Sequence, residues 1–240
     1  VAPDRLQRIL AILGEAGGET PSFASLCRVA TVLSGTDGAA IMLMAGDAPR
    51  GLLCATDDIS ERIEELQFTL GEGPGLDAHA DGTPVIEPDL TAPVAHQWIA
   101  FTPAALASGV GAVFAFPLMV GSVRLGSLNF YRSARGPMTD DEHADAQVVT
   151  GVAARTLLTL QADAPVGALS PQIEAESNLR LIVHQASGMV SVQLGVSVAD
   201  ALVRLRAYAV AHDLLIDDVA TRIIDRRLRF DDETPGPGPQ

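Results

Sequence analysis

Lysine is absent from the 240-residue chain, so all sixteen basic residues are arginine. Any contact with phosphate must then come from guanidinium or backbone N–H groups. A P-loop lysine and a Schiff-base lysine are excluded, and so is a receiver-type acidic pocket that needs a lysine partner. Cysteine is nearly as scarce. Cys27 and Cys54 form no CxxC pair and join no Cys/His cluster, so both read as reduced core thiols, with neither a zinc site nor a disulfide framework expected. Long apolar runs are missing too: none approaches the roughly eighteen residues of a membrane span. Asp4 and Arg5 stand where a secretory signal would be apolar, which predicts a cytoplasmic protein with no membrane partner.

What is present is ordinary globular composition, 48% apolar and 19% charged, over a length that fits one or two domains. The net charge of −14 argues against a chain that coats nucleic acid over its whole surface. That charge is unevenly spread. Residues 1–165 hold nine Arg and twenty acids, residues 166–230 hold seven of each, and the tail beyond adds three acids. A nucleic-acid site therefore belongs to the C-terminal part. Between the two regions, ADAPVGALSP (162–171) has Pro165 and Pro171 flanking Gly167, which opposes a continuous helix. The expected division is a first domain at 1–162, a linker at 163–172, a second domain at 173–230 and a Pro/Gly-rich disordered tail at 231–240.

In the first domain, apolar residues recur at helical spacing from 4 to 34, predicting two helices. AAIMLMAG and RGLLCATD read as strands, DISERIEELQF as a helix, and AVFAFPLMV with RLGSLNFYR as a hairpin across Gly121 and Ser122. From Thr139 an acid-led segment carries Val148, Val152, Ala153, Leu157 and Leu160 on one face, predicting a capped closing helix. The class is α+β. GEGPG (71–75) reads either as a tight turn or as a phosphate cradle. His79, His96 and His143 have no metal-ligand spacing, and Trp98 with Phe101 reads as core or as a cover over a pocket.

LGEGPGLDAHADGTPVIEPDL (70–90), AFPLMVGSVRLGSLNFY (115–131) and the acid-capped final helix together resemble the GAF sensory domain, over roughly residues 5–160. The resemblance implies an antiparallel sheet with flanking helices and a pocket that holds a small molecule in many members. No cysteine follows Cys54, so a covalent bilin is not expected, and no other cofactor is. Nor does either cysteine match the clustered thiols of GAF-fold methionine sulfoxide reductases, so no catalytic activity is expected.

Residues 173–230 read as three helices. The first, ended by Gly195, turns Leu179, Ile182, Val183, Ala186, Met189, Val190 and Leu194 inward. The second is capped by Ser197 and buries Val198, Ala201, Leu202, Leu205 and Ala209, and the third buries Val219, Ala220, Ile223 and Ile224. Such a small core gains from dimerisation. Arg180, His184, Ser187 and Ser191 recur at i, i+4, i+7 and i+11 and form one polar stripe, either a solvated face or a binding face. Arg222, Arg226 and Arg229 form a basic ridge on the third helix, which Asp218 and Asp225 can neutralise from i−4. Tyr208 lies at the edge of the inward stripe and reads as core rather than as a stacking platform.

IVHQASGMVSVQLGVSVADALVRLRAYA (182–209) and IDDVATRIIDRRL (216–228) resemble the ANTAR module, a three-helix RNA-binding domain of bacterial antiterminators. The resemblance implies a homodimer that binds RNA stem-loops in nascent transcripts and prevents terminator formation. Arg206, in LRAYA, matches a usual family position and is preferred to Arg204 as an RNA contact. Many members have Ala-Lys-Gly where this chain has Ala186-Ser187-Gly188, which removes a positive charge from the first helix. The expected RNA contacts are Arg180, His184, Ser187, Ser191, Arg206, Arg222 and Arg226. The competing expectation is a dimerisation or protein-interaction module without an RNA target.

Overall fold

The computed structural model describes residues 3–17, 22–46, 48–91, 98–162, 164–165, 169–176, 178–179, 181–212 and 214–230. The chain divides into two compact units, Val1–Phe68 with Glu72–Leu179, and Thr69–Gly71 with Arg180–Gln240.

The first unit contains α1 (Pro3–Gly17), α2 (Phe23–Ser34), β1 (Gly38–Ala45), β2 (Ala48–Ala55), α3 (Asp58–Leu70, all but its last two residues), α4 (Pro74–Asp81), β3 (Val85–Glu87), α5 (Phe101–Ala107), β4 (Ala112–Val120), β5 (Val123–Arg132), α6 (Asp140–Gln161), α7 (Pro171–Glu176) and β6 (Asn178–Leu179). Its six strands lie in the order β3-β4-β5-β1-β2-β6. Every neighbouring pair is antiparallel. The predicted hairpin forms, with Val120 opposite Val123 and Gly121 at φ 60°, a value that favours glycine.

Side chains alternate across the sheet, and the alternation sorts them. Ile41 and Leu43 of β1, Phe114, Phe116 and Leu118 of β4, and Leu128 and Phe130 of β5 enter one apolar core with α1, α2 and α6. Helix α6 opens with a capping box, Thr139 Oγ1 accepting from Glu142 N–H at 3.2 Å and Glu142 Oε2 accepting from Thr139 N–H at 2.7 Å. Arg8 of α1 pairs with the buried Asp145 of α6 at 2.7 Å.

Three expectations are corrected in this unit. Cys27 and Cys54 are joined in a disulfide: α2 packs on β1 and β2 and brings their Cα atoms to 6.6 Å. A separation of 27 residues holds no signal for that pairing. GEGPG (71–75), expected as a tight turn or a phosphate cradle, instead runs into a helix: Gly73 caps α4 and Pro74 opens it. The first unit also runs beyond the expected linker, to Leu179. Ser170 accepts from Ile173 N–H at 3.4 Å and starts α7 ahead of Pro171 at the first helical position. Ile173 then sinks fully into the core, and β6 pairs with β2. The helix expected from residue 173 therefore begins only at Leu181.

The second unit contains α8 (Leu181–Leu194), α9 (Val198–Ala211) and α10 (Ile216–Ile224). Gly195 at φ 63° ends α8, and Ser197 Oγ caps α9 by accepting from Asp200 N–H at 3.0 Å. Val183, Ala186, Val190, Ala201, Leu205, Ala209, Val219, Ala220 and Ile223 are buried. Ile182 and Val198, expected inside, are exposed.

Candidate functional site

The side of the sheet opposite that core carries a polar cluster along β5, set among buried Ala40, Met42, Val113 and Ala115. Ser127, Asn129 and Tyr131 of β5 alternate with Leu128 and Phe130, so they point to the α3 and α4 side. Helix α3 answers them with Ser60, Glu64 and Gln67, spaced i, i+4 and i+7 and all buried. Gln67 Nε2 and Asn129 Nδ2 donate to Glu64 Oε1 at 3.1 and 2.8 Å. Gln67 Oε1 accepts from Gly75 N–H at 2.7 Å. A Cβ at Gly75 would lie 2.6 Å from the Asn129 amide and 2.8 Å from Ser127 Oγ, so glycine lets α4 settle on β5. The same Gln67 bond occupies an N–H that a phosphate cradle would need, which leaves GEGPG as the lead-in to α4.

Three buried polar atoms in this cluster have no partner among the described residues: Glu64 Oε2, Ser127 Oγ and Asn129 Oδ1. Leaving each unmade costs about 1–3 kcal/mol. Burial pushes the Glu64 carboxyl up to about 8, against the two bonds to Oε1 that favour the ionised form. Glu64 is thus mainly neutral at pH 7 and offers a hydroxyl donor beside two open acceptors. Glu64, Asn129, Ser60 and Tyr131 line a cavity of about 10 Å³, room for one water. Tyr131 Oη donates to Asp57 Oδ2 at 2.8 Å, and Asp57 Oδ1 caps α3 by accepting from Ser60 N–H at 2.7 Å. Beyond α4, Trp98 packs edge-on against Phe101 and donates to Asp77 Oδ2 at 2.8 Å. Burial raises the Asp77 pKa, with the Trp98 bond opposing it.

The expected RNA contacts are only partly brought together in the second unit. Ser187 is corrected: it is fully buried, its hydroxyl donating to Val183 O at 2.8 Å inside α8. Ser191 turns to its own helix end, donating to Val196 O at 2.6 Å and fixing the turn into α9. His184 is half-buried, and Arg180 lies outside the described residues. Arg206 is half-buried, and desolvation lowers its pKa to about 10, whereas Arg204 is exposed. The ridge on the third helix is corrected as well. Helix α10 stops at Ile224, and Arg226 adopts φ 59° beyond it, so Arg222, Arg226 and Arg229 are not stacked at helical spacing. Arg222 and Arg226 remain exposed, and Asp225 pairs with Arg227 at 3.3 Å.

Nearby on α9, Tyr208 stacks on His212 with ring centroids 3.9 Å apart, and Phe230 lies 5.5 Å from Tyr208. Tyr208 is therefore half-buried at an aromatic surface rather than in the core. Among the described residues, no group of three or more His, Cys, Asp or Glu side chains could hold a metal ion, and no single helix is long and apolar enough to cross a membrane.

No protein-family model matches the chain, and no curated protein does. Solved structures do. The GAF domain of a phosphoenolpyruvate-protein phosphotransferase from Coxiella burnetii matches with a TM-score of 0.53 at 13% identity, covering 68% of this chain and 98% of that one. The first unit has the GAF fold. A GAF domain from the corresponding Acinetobacter protein matches at 0.49 and 12% identity, over 66% of this chain and 94% of its own.

Sequence reasoning missed the polar face of this GAF unit. Its signal was present: SLNFY alternates polar and apolar residues through β5, and the buried stripe of α3 is polar at Ser60, Glu64 and Gln67. The aromatic surface of the second unit had a signal as well, in the i, i+4, i+8 spacing of Arg204, Tyr208 and His212.

Proposed function

We propose that the chain is a non-catalytic, signal-responsive regulator. The GAF unit takes a small polar molecule on its α3–α4 face, and the three-helix unit, which resembles the ANTAR module, binds RNA stem-loops as a homodimer to control transcription termination. The carrying observation is the uneven spread of charge: the helical unit balances its arginines against its acids in a chain whose net charge is −14, and Arg204, Arg222 and Arg226 are exposed on it. Guanidinium groups so placed suit phosphate contacts. In the GAF unit the unpartnered Glu64, Ser127 and Asn129 atoms offer donors and acceptors to a small polar ligand, which α3 and α4 would have to part to admit. Position 180 alone separates β6 from α8, so the path from sensor sheet to output helix is short in sequence.

The test is electrophoretic mobility shift of the full chain with a pool of structured RNAs over a salt series. Specific shifts that weaken steeply with salt are expected. Absence of any shift at micromolar protein rejects the RNA reading. The second reading, a protein-interaction module, is favoured by the exposed Val192, Val198, Val203 and Val210 of α8 and α9 and their surroundings.

A further inference from the structure

The groove on α9 is open, holds about 360 Å³, and is built from three kinds of surface. Tyr208 and His212 form one continuous stack, with interplanar angle 20°. Phe230 faces Tyr208 from the segment after α10, inclined at 56°. That segment is anchored to α8, since Gln193 Oε1 accepts from Phe230 N–H at 3.2 Å. Ala207 and Ala211 line the same groove with small side chains, so the rings' outer faces stay open. Arg204, one turn before Tyr208, stands exposed at the rim and makes no ion pair among the described residues. The volume lies in the range of small-molecule sites, about 300–1,000 Å³.

We propose that this groove receives one unpaired nucleobase of a bound RNA, the base stacking against the Tyr208–His212 and Phe230 rings while the Arg204 guanidinium holds its phosphate. Three rings and a guanidinium with no competing carboxylate in the groove match a flat base on an anionic backbone better than they match an aliphatic side chain. This assignment rests on the RNA-binding reading and adds to it the loop base as the recognised element. It also replaces Arg206 with Arg204 as the contact residue of α9, because Arg204 is the exposed one of the two.

The experiment uses the full chain, Arg204→Ala and Phe230→Ala, with folding checked by circular dichroism. Three probes are used: hairpin RNA carrying 2-aminopurine in its loop, the same strand fully paired, and single-stranded oligo(rA). Binding of the hairpin should change 2-aminopurine fluorescence, and each variant should bind it roughly tenfold more weakly with the change diminished. The paired strand should be bound alike by all three proteins. If both variants bind the hairpin as the unaltered chain does, the groove assignment falls and the RNA reading stands. If the unaltered chain ignores hairpins yet binds oligo(rA) through Arg204 and Phe230, the groove stands and the stem-loop reading falls. If it binds neither, both fall. If Phe230→Ala turns a dimer into a monomer by light scattering without altering fluorescence, a second copy fills the groove and the assignment is wrong.

Discussion

The two faces of the GAF sheet are built from the same strands and differ in what they leave unsatisfied. On the side of α1, α2 and α6, Phe114, Phe116, Leu118, Leu128 and Phe130 are apolar, Arg132 closes the end of β5 over Phe114 while pairing with Glu142, and the core closes without a polar orphan among those residues. On the side of α3 and α4, the intervening positions bring Ser127 and Asn129 against a buried carboxyl. One face maximises burial, worth about 25 cal/mol per Å². The other gives stability away at buried polar atoms that have no partner among the described residues.

Mutation should expose that asymmetry. Phe116→Ala, on the apolar face, removes a ring packed edge-on against Phe130, with centroids 5.7 Å apart. It should destabilise the unit by about 3–5 kcal/mol in denaturant unfolding. Glu64→Gln, on the polar face, should act in the opposite direction at neutral pH. The folded Glu64 titrates near 8 and the unfolded one near 4.5, so the unfolded state releases its proton first. The stability that neutral Glu64 contributes is complete below about 4.5 and is lost as pH rises to about 8. The variant should flatten this slope and be more stable than the parent at pH 8, by an amount on the order of a few kcal/mol. A Glu64→Gln protein that keeps the parent's slope would show that another group titrates. Ser127→Ala should have the smallest effect: its hydroxyl has no partner, so its removal should raise stability by about 1 kcal/mol, the low end of the cost of an unmade bond. A clear loss instead would place an ordered water on Ser127.

What could be read from the sequence was local. The β4–β5 hairpin, the Thr139 cap and the Ser197 cap depend on neighbours within a few residues, and each forms as expected. What escaped depends on tertiary placement. Cys27 meets Cys54 only because α2 lies on β2, and Ser187 is buried because α8 turns that position toward its partner helices. The end of the third helix is unmarked in sequence, because Asp225, Arg226 and Arg227 include no Gly or Pro, and the left-handed Arg226 is a conformation few side chains adopt. Arg204 and Arg206 differ by two positions in sequence, and only packing decides which one reaches solvent.

The two-residue strand β6 has a consequence larger than its length. Without it, backbone donors and acceptors of β2 around Gly51 and Leu52 would form a bare rim, a template on which a neighbouring molecule can extend the sheet. Asn178 and Leu179 seal that rim with chain from the same molecule. A version cut just before residue 178 would keep its central fold yet stick to itself, so the segment leading from the first unit to the second also serves as the guard against self-association.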